Sequence, residues 1–158
     1  MELELTDDQE KALKAVYKWT KLNIHVDGDD AFFNLYGAAG TGKTTVVKEI
    51  LKILPGRVCV AAPTHKAKDV IAEMTNKPGL TLHSLLGLRP NVNIESYNPN
   101  NPQYATMAEE KITSFDIIII DECSMVNRAL TRELLKKASQ YKRRIIFVGE
   151  TVADIKPL

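Results

Sequence analysis

Four apolar runs punctuate this sequence, and none of them alternates. The segments AFFNLYG (31–37), RVCVAAP (57–63), FDIIIIDE (115–122) and RRIIFVGE (143–150) are each mostly apolar, rich in branched or aromatic types, and each stops at a turn or polar residue. Unbroken apolarity is what strands covered on both faces show, whereas a half-exposed strand alternates. Helical segments separate the runs, and strands alternating with helices predict an α/β fold: a parallel sheet with helices on both faces.

The first helix is expected over 6–22, where Ala12, Leu13, Ala15, Val16, Trp19 and Leu22 recur at three- and four-residue intervals. Thr6 stands as its N-cap, with Gln9 three residues later as the capping-box partner. Further helices are expected over Lys43–Leu54, His65–Met74 and Asn127–Ser139.

Composition narrows the class. A chain of 158 residues with 44% hydrophobic and 26% charged residues can build one compact domain with a proper core. A net charge of +1 excludes binding a polyanion by bulk charge, so any contact with nucleic acid has to be local. Cys59 and Cys123 flank apolar runs and are expected as buried free thiols in a reducing compartment. With no secretory signal and no apolar run of bilayer length, a cytoplasmic location without membrane contact is expected.

One region breaks the pattern. Residues 87–113, GLRPNVNIESYNPNNPQYATMAEEKIT, are polar and read as an insertion. Val92 and Ile94 alternate with polar neighbours, NPNNP can turn, and Tyr104 with Thr106 can return, so a small β-hairpin is expected there. A polar loop fits the same residues, and Tyr97 or Tyr104 could stack on a base in either case.

The chemistry begins at Gly37-Ala38-Ala39-Gly40-Thr41-Gly42-Lys43-Thr44, which fits G-x-x-x-x-G-K-[ST], follows a predicted strand and opens a predicted helix. Its glycines let backbone N–H groups converge on phosphate oxygens at the positive end of a helix dipole. Lys43 is expected to reach the β- and γ-phosphates of ATP, the Thr44 hydroxyl to ligate Mg²⁺, and Thr45 to continue the nucleotide-binding turn. A glycine-rich turn with no ligand is the bland alternative. The run IIIIDE supplies a second anionic group: Asp121 would hold Mg²⁺, and Glu122 would orient or deprotonate an attacking water. Two solvated carboxylates capping a helix fit the same pair.

Taken in order, LTDDQEKAL, GAAGTGKTT, AAPTHKAK, TLHSLL and IIIIDECSM resemble the Q motif and motifs I, Ia, Ib and II of superfamily 1B DNA helicases, RecD-like and bacteriophage Dda-type. The resemblance runs from about Leu5 to Pro157. It implies a RecA-like P-loop domain formed by residues 1–86 and 114–158, with 87–113 as a hairpin or wedge subdomain. Gln9 matches the glutamine that reads the adenine edge, in addition to its capping role. Pro63, Thr64, His65 and Lys66 match a grip on single-stranded DNA, though an ordinary helix N-cap fits them as well. Thr81, His83 and Ser84 match a second DNA contact.

The family's next motif reads G-D-x-x-Q, which senses the γ-phosphate and couples it to DNA. Here Gly149 matches, Glu150 replaces the aspartate, and Ala153 or Asp154 stands where the glutamine belongs. The basic cluster Lys136, Lys137, Lys142, Arg143 and Arg144 reads as a solvated helix end.

The implied function is the N-terminal motor domain of an ATP-dependent DNA helicase moving 5′ to 3′ in a bacterial or phage-infected cell. Its partners would be single-stranded DNA, a fork, replication or single-strand-binding proteins, and a second RecA-like domain, which these residues do not include. Arginines from that second domain are worth about a thousandfold or more in rate, so these residues alone are expected to turn over weakly. A stand-alone Mg-ATP-binding module and another P-loop ATPase or kinase are the competing readings.

Overall fold

The computed structural model describes residues 4–21, 32–37, 42–90, 104–106, 111–123, 126 and 128–149. Five strands form one sheet: β1 (Phe32–Tyr36), β2 (Val58–Ala62), β3 (Gly79–Thr81), β6 (Ile117–Ile120) and β7 (Arg144–Gly149). Their order is β1-β7-β6-β2-β3, and every neighbouring pair is parallel. The expected α/β architecture is what forms.

The continuous apolarity has the predicted cause. In the central strand β6, Ile117 and Ile119 pack with Val58, Val60, Val46 and Ile50 on one face, while Ile118 and Ile120 pack with Cys59, Ala61 and Leu134 on the other. Helices α1 (Asp7–Lys21), α2 (Lys43–Ile53) and α3 (His65–Thr75) contribute to the first layer. Helices α4 (Leu82–Leu86) and α5 (Arg128–Tyr141) contribute to the second. All four isoleucines are buried, each contributing about 1.5–3 kcal/mol of transfer free energy. Both cysteines are buried, and burial pushes the Cys59 thiol up to about 12, so it packs as an apolar group.

The capping box at α1 forms as read: the Thr6 amide donates to Gln9 Oε1 at 2.9 Å and the Gln9 amide to Thr6 Oγ1 at 3.3 Å. Strand β3 and helix α4 were not expected. Gly79 permits that addition, because a Cβ there would lie 2.6 Å from the Ala72 Cβ of α3. A second sheet pairs β4 (Leu88–Pro90) antiparallel with β5 (Tyr104–Thr106), with Arg89 opposite Ala105. The expected return strand at Tyr104 and Thr106 is present. Val92, Ile94 and Tyr97 lie outside the described residues.

The basic cluster requires a correction, because it is not simply a solvated helix end. Lys137 is 5% exposed, and its Nζ donates to the Leu86 carbonyl at 2.8 Å. Arg143 donates to the Thr113 carbonyl and sits beside Asp116, and Arg144 donates to the Thr20 carbonyl and lies over the Trp19 ring. Helical spacing explains Lys137, which shares the buried face of α5 with Leu134 and Ala138. Lys136 and Lys142 are exposed, as expected. Among the described residues no helix is long and apolar enough to cross a membrane.

Candidate functional site

Parallel strands deliver their carboxyl ends to one edge of the sheet. Helix α2 leaves β1 over one face and α5 follows β6 on the other, so the connections diverge and open a crevice at that edge, where ligands of such folds bind. Gly37 and Asp121 follow the tips of β1 and β6, with Gly149 ending β7 between them.

Hydrogen bonds join the tips of β1 and β7, and another anchors the tip of β6 to β2. The Gly149 carbonyl accepts from the Gly37 amide at 3.2 Å and from Lys43 Nζ at 3.5 Å. The Asp121 amide donates to the Ala61 carbonyl at 2.9 Å, which fixes its backbone against β2. Burial pushes the Asp121 carboxyl above its ordinary range, opposed by the Glu122 amide and by the positive charge of Lys43. The positive charge of Lys43 is therefore near enough to act on the Asp121 carboxylate.

Gly42 is the N-cap of α2, with φ 81° in the left-handed region. Glycine is required there twice over, since a Cβ would also collide with the Gln9 amide nitrogen. Gln9 Nε2 donates to the Gly42 carbonyl at 3.4 Å, so α1 is fastened to the start of the lysine-bearing helix. Thr44 and Thr45 follow, half-buried, on the first turn of α2. Ala38, Ala39, Gly40 and Thr41 lie outside the described residues.

Glu122 is exposed and adopts φ 52°, an uncommon conformation for a residue with a side chain. In that conformation its amide bonds the Asp121 carboxylate. Sequence reasoning had no signal for this backbone twist. Glu150, Ala153 and Asp154 lie outside the described residues.

The expected strand-binding residues gather along the same edge. Ala62 at the end of β2 pairs with Thr81 at the end of β3, which brings Pro63–Lys66 and Thr81–His83 side by side. Thr64 caps α3, its Oγ1 accepting from the Ala67 amide at 3.1 Å, and it is exposed together with His65 and Lys66. The Thr81 side chain is buried and caps α4, accepting from the Ser84 amide at 3.2 Å. His83 is half-buried, which lowers its pKa from the ordinary 6.5 and favours the neutral ring.

A family described as AAA domain matches residues 23–154. The ATP-dependent DNA helicase dda of Enterobacteria phage T4 is 32% identical over 136 residues, covering 84% of this chain and 28% of that protein. The ATP-dependent RecD2 DNA helicase of Deinococcus radiodurans is 32% identical over 120 residues, covering 74% of this chain and 15% of that protein. The crystal structure of Bacteroides Pif1 helicase in complex with ADP-AlF3 and ssDNA superposes with a TM-score of 0.60 at 25% identity, over 94% of this chain and 33% of that one. The chain thus spans about a third or less of each of these three proteins.

Proposed function

The chain belongs to the AAA_19 family of AAA domains and is distantly homologous to the motor region of superfamily 1B helicases, and on that premise we propose that it binds Mg-ATP as the first motor domain of an ATP-dependent DNA helicase. The observation that carries the proposal is the meeting of Lys43, the Gly149 carbonyl and Asp121 at adjacent strand tips.

The residues present suit a triphosphate. Gly42 holds a backbone that a side chain would obstruct, and the first-turn amides of α2 face the same edge as the Lys43 ammonium. The Gly149 carbonyl is a weak partner for Lys43 at 3.5 Å, so a phosphate oxygen would replace it with a stronger, charge-assisted bond. Among the described residues no group of three or more His, Cys, Asp or Glu could hold a metal by itself. Magnesium is bound otherwise, by one or two protein oxygens together with substrate phosphates, and Thr44 with Asp121 provides that pair. When bound, the metal neutralises charge on the phosphates.

Glu122, exposed beside Asp121, would then orient the attacking water, while Gln9 would read the adenine edge. Pro63, Thr64, His65 and Lys66, with Thr81 and His83, would hold single-stranded DNA, and Gly149 and Glu150 would relay nucleotide state. The β4–β5 sheet would serve as the base of the wedge at a fork. A second RecA-like domain would supply the arginines needed for rapid turnover and for 5′-to-3′ stepping.

ATP turnover of a protein carrying both motor halves, measured with and without single-stranded DNA, tests this function. Hydrolysis stimulated by the strand and abolished by Lys43→Ala is the expected result. Nucleotide binding without stimulated hydrolysis would favour a binding module, and phosphate transfer to a small molecule would favour a kinase; either would overturn the helicase reading.

A further inference from the structure

Lysine is almost never fully buried unless something compensates its charge, and Lys137 is buried. Its Nζ donates at 2.8 Å to the carbonyl of Leu86, the last residue of α4. The neighbours of Lys137 on α5, Leu134 and Ala138, join Leu82, Leu85 and Leu86 of α4 in one apolar cluster. An apolar residue at 137 would suit that cluster better, because removing an ammonium from water is costly. What the charge provides instead is direction: it fastens the end of α4 at the Leu86 carbonyl.

That end is a junction. Gly87 follows in the left-handed region at φ 65°, its amide bonding back to the carbonyls of His83 and Ser84, and β4 departs one residue later. From beyond β5, the Lys111 amide donates to the Leu85 carbonyl at 3.0 Å, and Lys111 Nζ lies 3.4 Å from Ser84 Oγ. The chain therefore departs into β4 from the end of α4 and, after β5, is bonded back to α4 at Lys111. The helix that pins this junction, α5, is the element that follows Asp121 and Glu122.

We infer that Lys137 is a positioning residue: it locks the α4–β4 junction, and through it sets the placement of Thr81 and His83 and the base of the β4–β5 sheet. The inference deepens the strand-binding reading given above and rests on it. Removing the ammonium leaves the apolar cluster to hold α4 in place, so the domain folds while the junction loosens.

The test compares the wild-type protein with Lys137→Met, which keeps the apolar stem, and Lys137→Arg, which keeps a donor. Three quantities are measured: affinity for a labelled oligothymidylate, affinity for a fluorescent ATP analogue, and amide exchange at Gly87 and Lys111. In Lys137→Met, oligonucleotide affinity is expected to fall about five- to tenfold with ATP affinity unchanged, exchange at both amides to accelerate, and Lys137→Arg to recover part of each loss. Unchanged oligonucleotide affinity in Lys137→Met, or parallel loss of both affinities, would overturn the inference. A wild-type protein that binds no oligonucleotide defeats the strand-binding reading instead; the junction is then judged by exchange, and unchanged protection of Gly87 and Lys111 would overturn it.

Discussion

Gln9 and Gly42, thirty-three residues apart, are joined by a 3.4 Å hydrogen bond from the Gln9 side-chain amide to the Gly42 carbonyl. The other end of the same amide accepts from Thr6. One side chain thus starts α1 and braces the loop that precedes Lys43, and its two ends can be separated by mutation.

Gln9→Glu keeps an acceptor for the Thr6 amide and loses the donor to Gly42. Stability is expected to hold while ATP affinity and the preference for ATP over GTP fall, because an adenine edge needs a donor beside an acceptor. Gln9→Ala loses both ends and is expected to cost about 1 kcal/mol of stability as well. Thermal melts paired with GTP competition check this; an unaltered ATP to GTP ratio in both variants would remove Gln9 from base reading.

Glu122 combines a strained backbone with an exposed carboxylate. Glu122→Gln should leave melting temperature and ATP binding unchanged and remove turnover in a protein carrying both motor halves. Glu122→Gly should also remove turnover, while stability is unchanged or rises by up to about 1 kcal/mol as the left-handed conformation becomes cost-free. A Glu122→Gly protein less stable than Glu122→Gln would show that the conformation carries no strain.

Asp121 is held above its ordinary pKa by burial. A raised folded-state pKa means the fold prefers the neutral acid, so the penalty is absent below the unfolded value near 3.8 and grows as pH rises through the folded one. Asp121→Asn is therefore expected to raise the neutral-pH melting temperature of the nucleotide-free protein, with the gain fading in acid, while weakening magnesium-dependent ATP binding. Melting curves across pH test the sign; destabilisation at neutral pH would contradict it.

At the opposite edge of the sheet Asp116 shifts the other way. The Arg57 amide, the Arg57 guanidinium and the charge of Arg143 hold its carboxyl below the ordinary 3.8 against a smaller opposing effect of burial. Its stabilisation is therefore complete above the unfolded value and is lost as pH falls through the folded one. The side chain is 42% exposed, so solvent screens the pairs, and Asp116→Asn is expected to cost about 0.5–1 kcal/mol at neutral pH and to flatten the acid limb. An unchanged acid limb would count against the assignment.

Much of this was legible because it repeats along the chain. The long apolar runs became β1, β2, β6 and β7, and the capping box at Thr6 and Gln9 formed as its spacing required. Other features escaped, among them helix α4 and three whose causes are distinct. Gly79–Thr81 is too short for periodicity to mark it and becomes a strand only by pairing with β2. Lys137 belongs to a run of cations that looks solvated until the helical face is assigned from outside. The twist at Glu122 depends on its local bond to Asp121, which no composition predicts. For the site, the sequence offered Lys43, Thr44, Asp121 and Glu122 as residue types at suggestive spacings; the bond from Lys43 to Gly149 and the place of Asp121 after the neighbouring strand came from strand order, which is a tertiary property.

The most direct test of the account is equilibrium binding of Mg-ATP to the wild-type protein and to Lys43→Ala, Asp121→Asn and Glu122→Gln. In the proposed function Lys43 would bind the triphosphate and Asp121 its metal, so Lys43→Ala is expected to weaken binding by at least about tenfold, the loss of one charge-assisted bond, and Asp121→Asn to remove the magnesium dependence. Glu122→Gln should bind as the wild type does. Binding that is indifferent to Lys43→Ala, or lost equally in all three variants, would contradict the convergence of these strand tips on a nucleotide.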